Sequence, residues 1–313
     1  MKELKDNPIT LVDVGAAGGL HKRWDPYRKV LKSILFEPDK EEYNKLIANK
    51  SENTLVINSA VAEEYKVVDF NICRWQEVSS IYTPNRPILD RYEDSNRFDI
   101  DRTISLEANS INRLLQEQNI GEIDFIKIDT QGSELDILKG TSNYFQSLIG
   151  LEVEVEFIEL YDGQPLFSEV NNFIESKGFS LIDLRKCYWK RKGNSNSNRK
   201  GQLIYADALY FKLPENVVTL KQLDQEKILK SIYIYLAYGY DDLARSLLNL
   251  SENHSLISMQ FAESIKEVLK LNSRDYVLPN FKGKERIKNF FYSFGDKFST
   301  KSFSSGTDSK TGN

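Results

Sequence analysis

Near its start the chain runs an apolar segment straight into a glycine-rich turn, Leu11-Val12-Asp13-Val14-Gly15-Ala16-Ala17-Gly18-Gly19. A buried strand can leave this sharply for a helix only where no Cβ obstructs the turn, and the same turn lets backbone amides approach a ligand closely. The segment therefore asks for an α/β fold that opens with a strand, a tight turn and a helix, with a nucleotide-type ligand site at the turn. The dinucleotide spacing G-x-G-x-x-G is not met, because Ala17 holds its second place and Leu20 its third. A nicotinamide cofactor and hydride transfer are disfavoured on that ground.

What the segment does fit is an acidic residue two places before a small-residue turn, Asp13-x-Gly15-x-Ala17-x-Gly19, which resembles motif I of class I S-adenosylmethionine-dependent methyltransferases. That cofactor carries no phosphate, so a carboxylate near the turn is not repelled. A second apolar strand, Ile34-Leu35-Phe36, ends at Glu37. This is about twenty residues past the turn, where a carboxylate can accept hydrogen bonds from both ribose hydroxyls. Asp13, Gly15, Ala16, Ala17, Gly18 and Glu37, with Ser59 and Ala60 beyond the next strand, are the candidate cofactor-binding residues.

Further along, Ile123-Asp124-Phe125-Ile126-Lys127-Ile128-Asp129-Thr130-Gln131-Gly132-Ser133-Glu134 resembles the signature of the FkbM family of methyltransferases: a strand ending in Asp, then Glu-Gly, then a helix with Glu in its first turn. Gln131 stands where that family most often has Glu, which removes one negative charge. The resemblance continues through Ser79-Ser80-Ile81-Tyr82-Thr83-Pro84-Asn85, Glu154-Val155-Glu156-Phe157, Leu160-Tyr161-Asp162-Gly163-Gln164-Pro165 and Ala206-Asp207-Ala208, covering residues 9–213 in the expected order. It implies a Rossmann-like class I methyltransferase fold, with a mainly parallel seven-stranded sheet flanked by helices. The implied activity is methyl transfer from S-adenosylmethionine to an oxygen.

The element pattern agrees, since strands alternate with helices as in a parallel sheet with crossover helices. A helix over 39–49, with Asp39 as N-cap, joins strand 33–37 to a strand over 54–61. Residues 66–108 break the rhythm with an extra strand at 67–72 and a Pro84/Asn85/Pro87 loop long enough to cover a pocket. A helix at 109–118, strand 123–129, helix 133–145, strand 148–157, helix 168–177 and closing strands near 179–189 and 202–212 follow, with a polar hairpin loop at 193–198. Beyond this methyltransferase-like domain (1–213), apolar residues at 3–4 spacing through 214–273 read as a helical appendage, a cap or a homodimerisation hairpin. In 274–313, the basic-aromatic stretch 281–294 is a candidate for peripheral contact with an anionic membrane surface, and the Ser/Thr/Gly/Lys-rich end reads as disordered.

Removing the proton of a poorly acidic hydroxyl calls for a base. The chain has only two histidines: His21, read at the exposed start of the first helix, and His254 in the appendage. Carboxylates are therefore the candidates. Asp129 leads as base or acceptor-orienting residue, with Glu134 and Glu154 on the acceptor side. Ser80, Gln131, Tyr161 and Gln164 are candidate substrate-binding residues. Helix capping is the competing role for Asp129 and Glu134, and a solvated face for the alternating Glu152, Glu154 and Glu156. Asp129 and Glu154 would suit magnesium as hard oxygen ligands, but no spacing demands a metal.

Net charge of −4 argues against a nucleic-acid partner. Two distant cysteines and no apolar stretch of membrane-spanning length suit a cytoplasmic protein. The expected acceptor is a sugar hydroxyl in a glycan or glycolipid, or else a polyketide-type small molecule. The Gln131 departure leaves open a catalytically degenerate binding module in glycan assembly.

Overall fold

The computed structural model describes residue 4 and residues 6–193, 201–272 and 286–287. Residues 194–198 of the expected hairpin loop with the two that follow, and the basic-aromatic segment and tail apart from Arg286 and Ile287, lie outside them. In chain order the elements are β1 (Ile9–Val14), β2 (Leu31–Phe36), α1 (Lys40–Asn49), β3 (Thr54–Ile57), β4 (Ala60–Val61), β5 (Lys66–Cys73), α2 (Arg86–Leu89), β6 (Ile100–Asn109), α3 (Ile111–Glu117), β7 (Phe125–Ile128) and α4 (Glu134–Lys139). Then come β8 (Gly150–Glu156), α5 (Phe167–Ser176), β9 (Ser180–Trp189), β10 (Gln202–Phe211), α6 (Pro214–Val217), α7 (Gln225–Ala237), α8 (Asp241–Asn253) and α9 (Met259–Asn272).

Seven strands form one sheet in the order β3-β2-β1-β7-β8-β10-β9. All neighbours are parallel except β10, which runs antiparallel to β8 and β9. This is the mainly parallel, Rossmann-like sheet that the resemblance implies. The order reverses between β1 and β7, which puts a crevice at the carboxyl ends of those strands.

Three expected elements come out differently. The strand expected over 54–61 is two strands: β3 stays in the main sheet, while β4 leaves it after Asn58 and Ser59 to join a second sheet, β4-β6-β5. The helix expected over 133–145 is α4 followed by a separate 3-10 turn at Ser142–Tyr144, with Gly140 as C-cap. The first helix is a 3-10 run, Lys22–Val30, with Pro26 inside it, where the missing N–H would break an α-helical ladder. Other boundaries hold well. Asp39 caps α1 by accepting from the Glu41 and Glu42 amides, and Gly178, with φ +86°, follows α5.

The period-two alternation of the strands builds two unlike faces. On one, Val12, Val14, Ile34, Phe36, Ile126, Ile128, Leu151, Val153, Val155, Ala206, Ala208 and Tyr210 pack with α3, α4 and α5. On the other, the amino-terminal half of the sheet (Ile9, Leu11, Leu31, Phe125, Leu209, Phe211) is covered by Trp24, α7, α8 and α9. The segment read as an appendage thus packs directly on the second face. Buried Asp124 pins α7 there, accepting from the Lys227 ammonium at 2.6 Å and from the Thr10 amide at 2.8 Å, with the Lys230 ammonium 3.2 Å away.

The insertion 60–109 wraps back over the crevice. Its loop is stitched to the segment after β8, the Asn85 amide donating to Leu160 O and the Asp162 amide to Thr83 O, each at 2.8 Å. Beneath it Leu89, Tyr92, Phe98, Leu160, Tyr161 and Trp189 form a separate apolar cluster.

Candidate active site

The turn after β1 holds its shape through two amides. Those of Gly15 and Ala16 both donate to Phe36 O, at 3.1 and 3.2 Å. Gly15 has φ +77°, and a Cβ there would lie 1.9 Å from the carbonyl oxygen of Asp129. No side chain fits where β1 and β7 come this close, so only glycine serves.

The turn forms one wall of a cleft of about 220 Å3 at the carboxyl ends of β1, β2 and β7. Gly15, Ala17, Glu37, Ser59, Ala60, Asp129 and Gln131 line it, as the sequence leads one to expect. The structure adds Phe36, Val61, Phe70 and Ile81 as an apolar wall, and Lys127, Thr130 and Ser133 near its base. Glu37 accepts from the Asp39 amide through one oxygen, at 2.9 Å. Burial pushes its carboxyl up to about 7, against that hydrogen bond.

Other expected residues stand elsewhere. Ala16 is packed in the core with Leu35, Leu46 and Val56. Gly18 lines a different cavity. Asp13 is buried under the turn with its Oδ1 3.6 Å from the Lys127 ammonium, and burial raises it to about 6 despite that cation. Glu134 binds the loop preceding α4, accepting from the Thr130 amide (2.8 Å), the Thr130 hydroxyl (3.0 Å) and the Gly132 amide (2.9 Å). Glu134 thus holds together the loop ahead of α4 rather than capping the helix, whose N-cap Ser133 makes no side-chain cap bond.

Strand register assembles the charged part of the site. Asp13, Lys127 and Glu152 lie side by side across β1, β7 and β8. One row on, Asp207 lies opposite both Glu154 and Arg185, and forms a tight ion pair with the arginine. Glu152, Glu154 and Glu156 do share a face, but β8 is central and all three are buried, which removes the solvated-edge reading. Glu152 instead accepts from the Tyr238 hydroxyl at 2.6 Å, with Arg23 3.6 Å away.

Asp129 and Glu154 divide the protonation between them. Burial works to raise Asp129, but Lys127, 3.3 Å away, and hydrogen bonds from Gln131 and Glu154 hold it below the ordinary carboxylate value. Glu154 is pushed well above its ordinary value, first by burial and then by the charge of Asp129. Asp129 is thus the ionised member and Glu154 the neutral one. Lys127 is lowered by burial, yet Asp13, Asp129 and Glu152 outweigh that and keep it charged.

Gln131 joins the two acids. It adopts φ +59°, and its Nε2 donates to Glu154 Oε2 at 2.5 Å and to Asp129 Oδ1 at 3.3 Å. The Tyr161 hydroxyl donates to Val78 O (2.8 Å) and lies 3.0 Å from Gln131 Oε1. Ser80 donates to the Gln131 carbonyl at 2.6 Å, and Gln164 Oε1 accepts from the Tyr161 amide at 2.6 Å. Ser80, Tyr161 and Gln164 are therefore buried supports behind Gln131, outside the cleft lining. A carboxylate at 131 would set a second negative charge against Asp129 and offer Glu154 no donor, whereas an amide donates to both acids.

His21 caps the 3-10 run, its Nδ1 accepting from the Arg23 amide at 3.1 Å. No group of three or more His, Cys, Asp or Glu side chains among the described residues is arranged to hold a metal ion. No described helix is long and apolar enough to cross a membrane.

Residues 13–181 match the Methyltransferase FkbM domain. The chain belongs to the FkbM methyltransferase family. This family member is matched by no curated protein in sequence. Its backbone is similar to M. capricolum TrmK in complex with S-adenosyl-homocysteine (9% identity, 87% of this chain and 93% of that chain covered, TM-score 0.34). It is also similar to the N-terminal domain of EvdMO1 with S-adenosyl-homocysteine bound (6%, 67% and 76%, 0.33) and to the fibrillarin/Nop5p complex (10%, 66% and 73%, 0.35). Likeness at this level bears on neither ligand nor activity.

Proposed function

We propose that this FkbM-family chain transfers the methyl group of S-adenosylmethionine to a hydroxyl oxygen, with a sugar in a glycan or glycolipid as the leading acceptor class and a polyketide-type small molecule as the second. The observation that carries the reading is a cleft with the Asp129 carboxyl at its base and the Glu37 carboxyl on its wall, beside a turn too tight for any Cβ.

The residues suit that cofactor. Glu37 has one oxygen engaged by the Asp39 amide and capacity left for ribose hydroxyls. Phe36, Ala60, Val61, Phe70 and Ile81 offer an apolar slot for a flat base. When bound, the cofactor would supply an electrophilic methyl on a sulfonium, with a neutral thioether as the leaving group. Asp129, held by Lys127 and Gln131, accepts a hydrogen bond from the acceptor hydroxyl and so fixes the direction of its lone pair. As the oxygen bonds the methyl carbon, the proton it gives up passes to Asp129. Lys127 makes Asp129 a weak base in the resting site, so alignment and charge compensation are its larger contributions. Gln131, the residue that motivates a non-catalytic reading, is the donor joining Asp129 to Glu154, which favours a working site.

Isothermal titration with S-adenosylmethionine, S-adenosylhomocysteine and NAD tests the donor half. Binding of the first two without an NAD response is expected, with affinity falling at least tenfold in Glu37→Ala. A folded protein that binds neither adenosyl compound overturns the proposal.

A further inference from the structure

Glu152 is a buried carboxylate with no part in the reaction proposed for the cleft, and it stands directly beside the cation that Asp129 depends on. It is the register partner of Lys127 in the parallel pair β7 and β8, on the same face of the sheet. Partners in adjacent strands lie about 4.8 Å apart, well within the reach of a lysine side chain. Yet the Lys127 ammonium pairs with Asp129 at 3.3 Å and with Asp13 at 3.6 Å, and among the described residues no ion pair joins it to Glu152.

The groups that hold Glu152 come from elsewhere in the chain. Tyr238, the C-cap of α7, donates its hydroxyl to Glu152 Oε2 at 2.6 Å. Arg23 stands 3.6 Å from the same oxygen and lays its guanidinium over the Tyr238 ring, 4.2 Å from the centroid. The ring is fixed in turn by Phe125 and Phe211, at centroid distances of 5.1 and 5.8 Å, and the residue is 1% exposed. Burial first, and then the charge of Glu152, pushes the Tyr238 phenol well above its ordinary value, so the hydroxyl stays a donor. Asp129, for its part, is surrounded by Asp13, Glu134, Glu154 and Glu156, which leaves it dependent on the Lys127 ammonium to stay ionised.

We propose that Tyr238 is a positioning residue for methyl transfer: its hydroxyl, with Arg23 behind it, holds Glu152 off Lys127 and so leaves the ammonium to Asp129. The inference rests on the methyltransferase reading of the cleft, in which Asp129 receives the acceptor hydroxyl. Without the Tyr238 hydroxyl, Glu152 turns towards Lys127 and competes with Asp129 for it. Asp129 is then left buried among carboxyl groups without its cation, and it takes up a proton. The helices after residue 213 therefore do more than cover the sheet, because α7 carries Tyr238 to the charged row.

The first test is a crystal structure of the full chain carrying Tyr238→Phe, which keeps the ring and its packing and removes one oxygen. Glu152 is expected to pair with Lys127, and the Lys127 to Asp129 distance to lengthen. Glu152 left in place, with the pair of Lys127 and Asp129 intact, overturns the proposal. The second test is the ratio of affinities for S-adenosylmethionine and S-adenosylhomocysteine, by isothermal titration at pH 6. The two compounds differ by a methyl group and its positive charge, so the ratio reports negative charge at Asp129. Tyr238→Phe is expected to lower the ratio about fivefold or more. Adding Glu152→Gln to that variant removes the competing charge and is expected to restore the ratio to within about twofold of wild type, which it would not do for a packing defect. A ratio unmoved by Tyr238→Phe, or lowered and not restored, overturns the proposal. A wild-type chain that binds neither adenosyl compound is read separately, as failure of the methyltransferase reading, and the crystal structure still decides whether Tyr238 holds Glu152.

Discussion

The two faces of the central sheet are made by the same strands and do different work. In β8, Leu151, Val153 and Val155 enter the apolar core while Glu152, Glu154 and Glu156 point the other way, and both sets are buried. β7 repeats this with Ile126 and Ile128 against Lys127, and β1 with Val12 and Val14 against Asp13. The apolar face can be closed by helices at no electrostatic cost. The charged face is tolerable only because its members neutralise one another across strands, and it lies at the end where the sheet opens to ligand. Apolar core thus covers one face and the amino-terminal half of the other, and the buried charges are confined to the carboxyl end of that second face.

The largest test of that division is Gly15→Ala. With Asp129 O where the Cβ must go, β1 and β7 are forced apart, and S-adenosylhomocysteine affinity is expected to fall at least a hundredfold by titration. Affinity within threefold of wild type would mean that the turn does not bind the cofactor. Next comes a matched pair. Leu151→Ala on the apolar face is expected to cost about 3 kcal/mol in urea unfolding and to leave cofactor affinity within twofold. Lys127→Met on the other face strips Asp13 and Asp129 of their cation and is expected to cost about 3 kcal/mol as well, but with impaired cofactor binding. If the two variants behaved alike in both measurements, the distinction between the faces would collapse.

A smaller effect is expected for Glu37→Gln, about tenfold in cofactor affinity, or ~1.4 kcal/mol, for loss of a charged acceptor. The pH dependence of the free protein sharpens the same contrast. Burial raises Asp13 to about 6 and Glu37 and Glu134 to about 7, so the folded chain binds more protons than the unfolded one between the ordinary carboxylate range and those values. Their contribution to stability is therefore present at low pH and lost as pH rises towards 7, which scanning calorimetry would detect as a falling Tm between pH 5 and about 8. Glu37→Gln is expected to flatten that slope, and an unchanged slope would show that Glu37 does not titrate there. The smallest change is expected for Glu154→Gln. Because Glu154 is already neutral, the amide should shift stability by less than about 1 kcal/mol in urea unfolding. A larger loss would mean that Glu154, and not Asp129, carries the negative charge of the pair.

Much of the cleft lining was readable in advance because each part is a local pattern: an apolar run into glycines, or an acid at the end of the next strand. Gly15, Ala17, Glu37, Ser59, Ala60, Asp129 and Gln131 all line the cleft. Lys127 was missed as a site residue, although a lysine inside Phe125-Ile126-Lys127-Ile128 was visible as a charge in a buried strand. Phe70 and Ile81 could not be assigned from sequence, since nothing local says that the insertion folds back over the crevice. Ser80, Tyr161 and Gln164 were singled out, but their hydrogen bonds run to Gln131, to the backbone of Val78 and Tyr82 and from Gln164 to the Tyr161 amide, so they support the wall from behind.

By itself the sequence determined the α/β alternation, the turn that only glycine can make, the capped α1 and the family to which the chain belongs, because these depend on neighbours a few residues apart. Only the tertiary structure decided which charges face one another. Asp13, Lys127 and Glu152, or Arg185, Asp207 and Glu154, become neighbours through strand register and sheet order, and protonation follows from that proximity and burial. Whether Asp129 or Glu154 carries the proton is a property of the assembled low-dielectric environment, which no stretch of sequence contains.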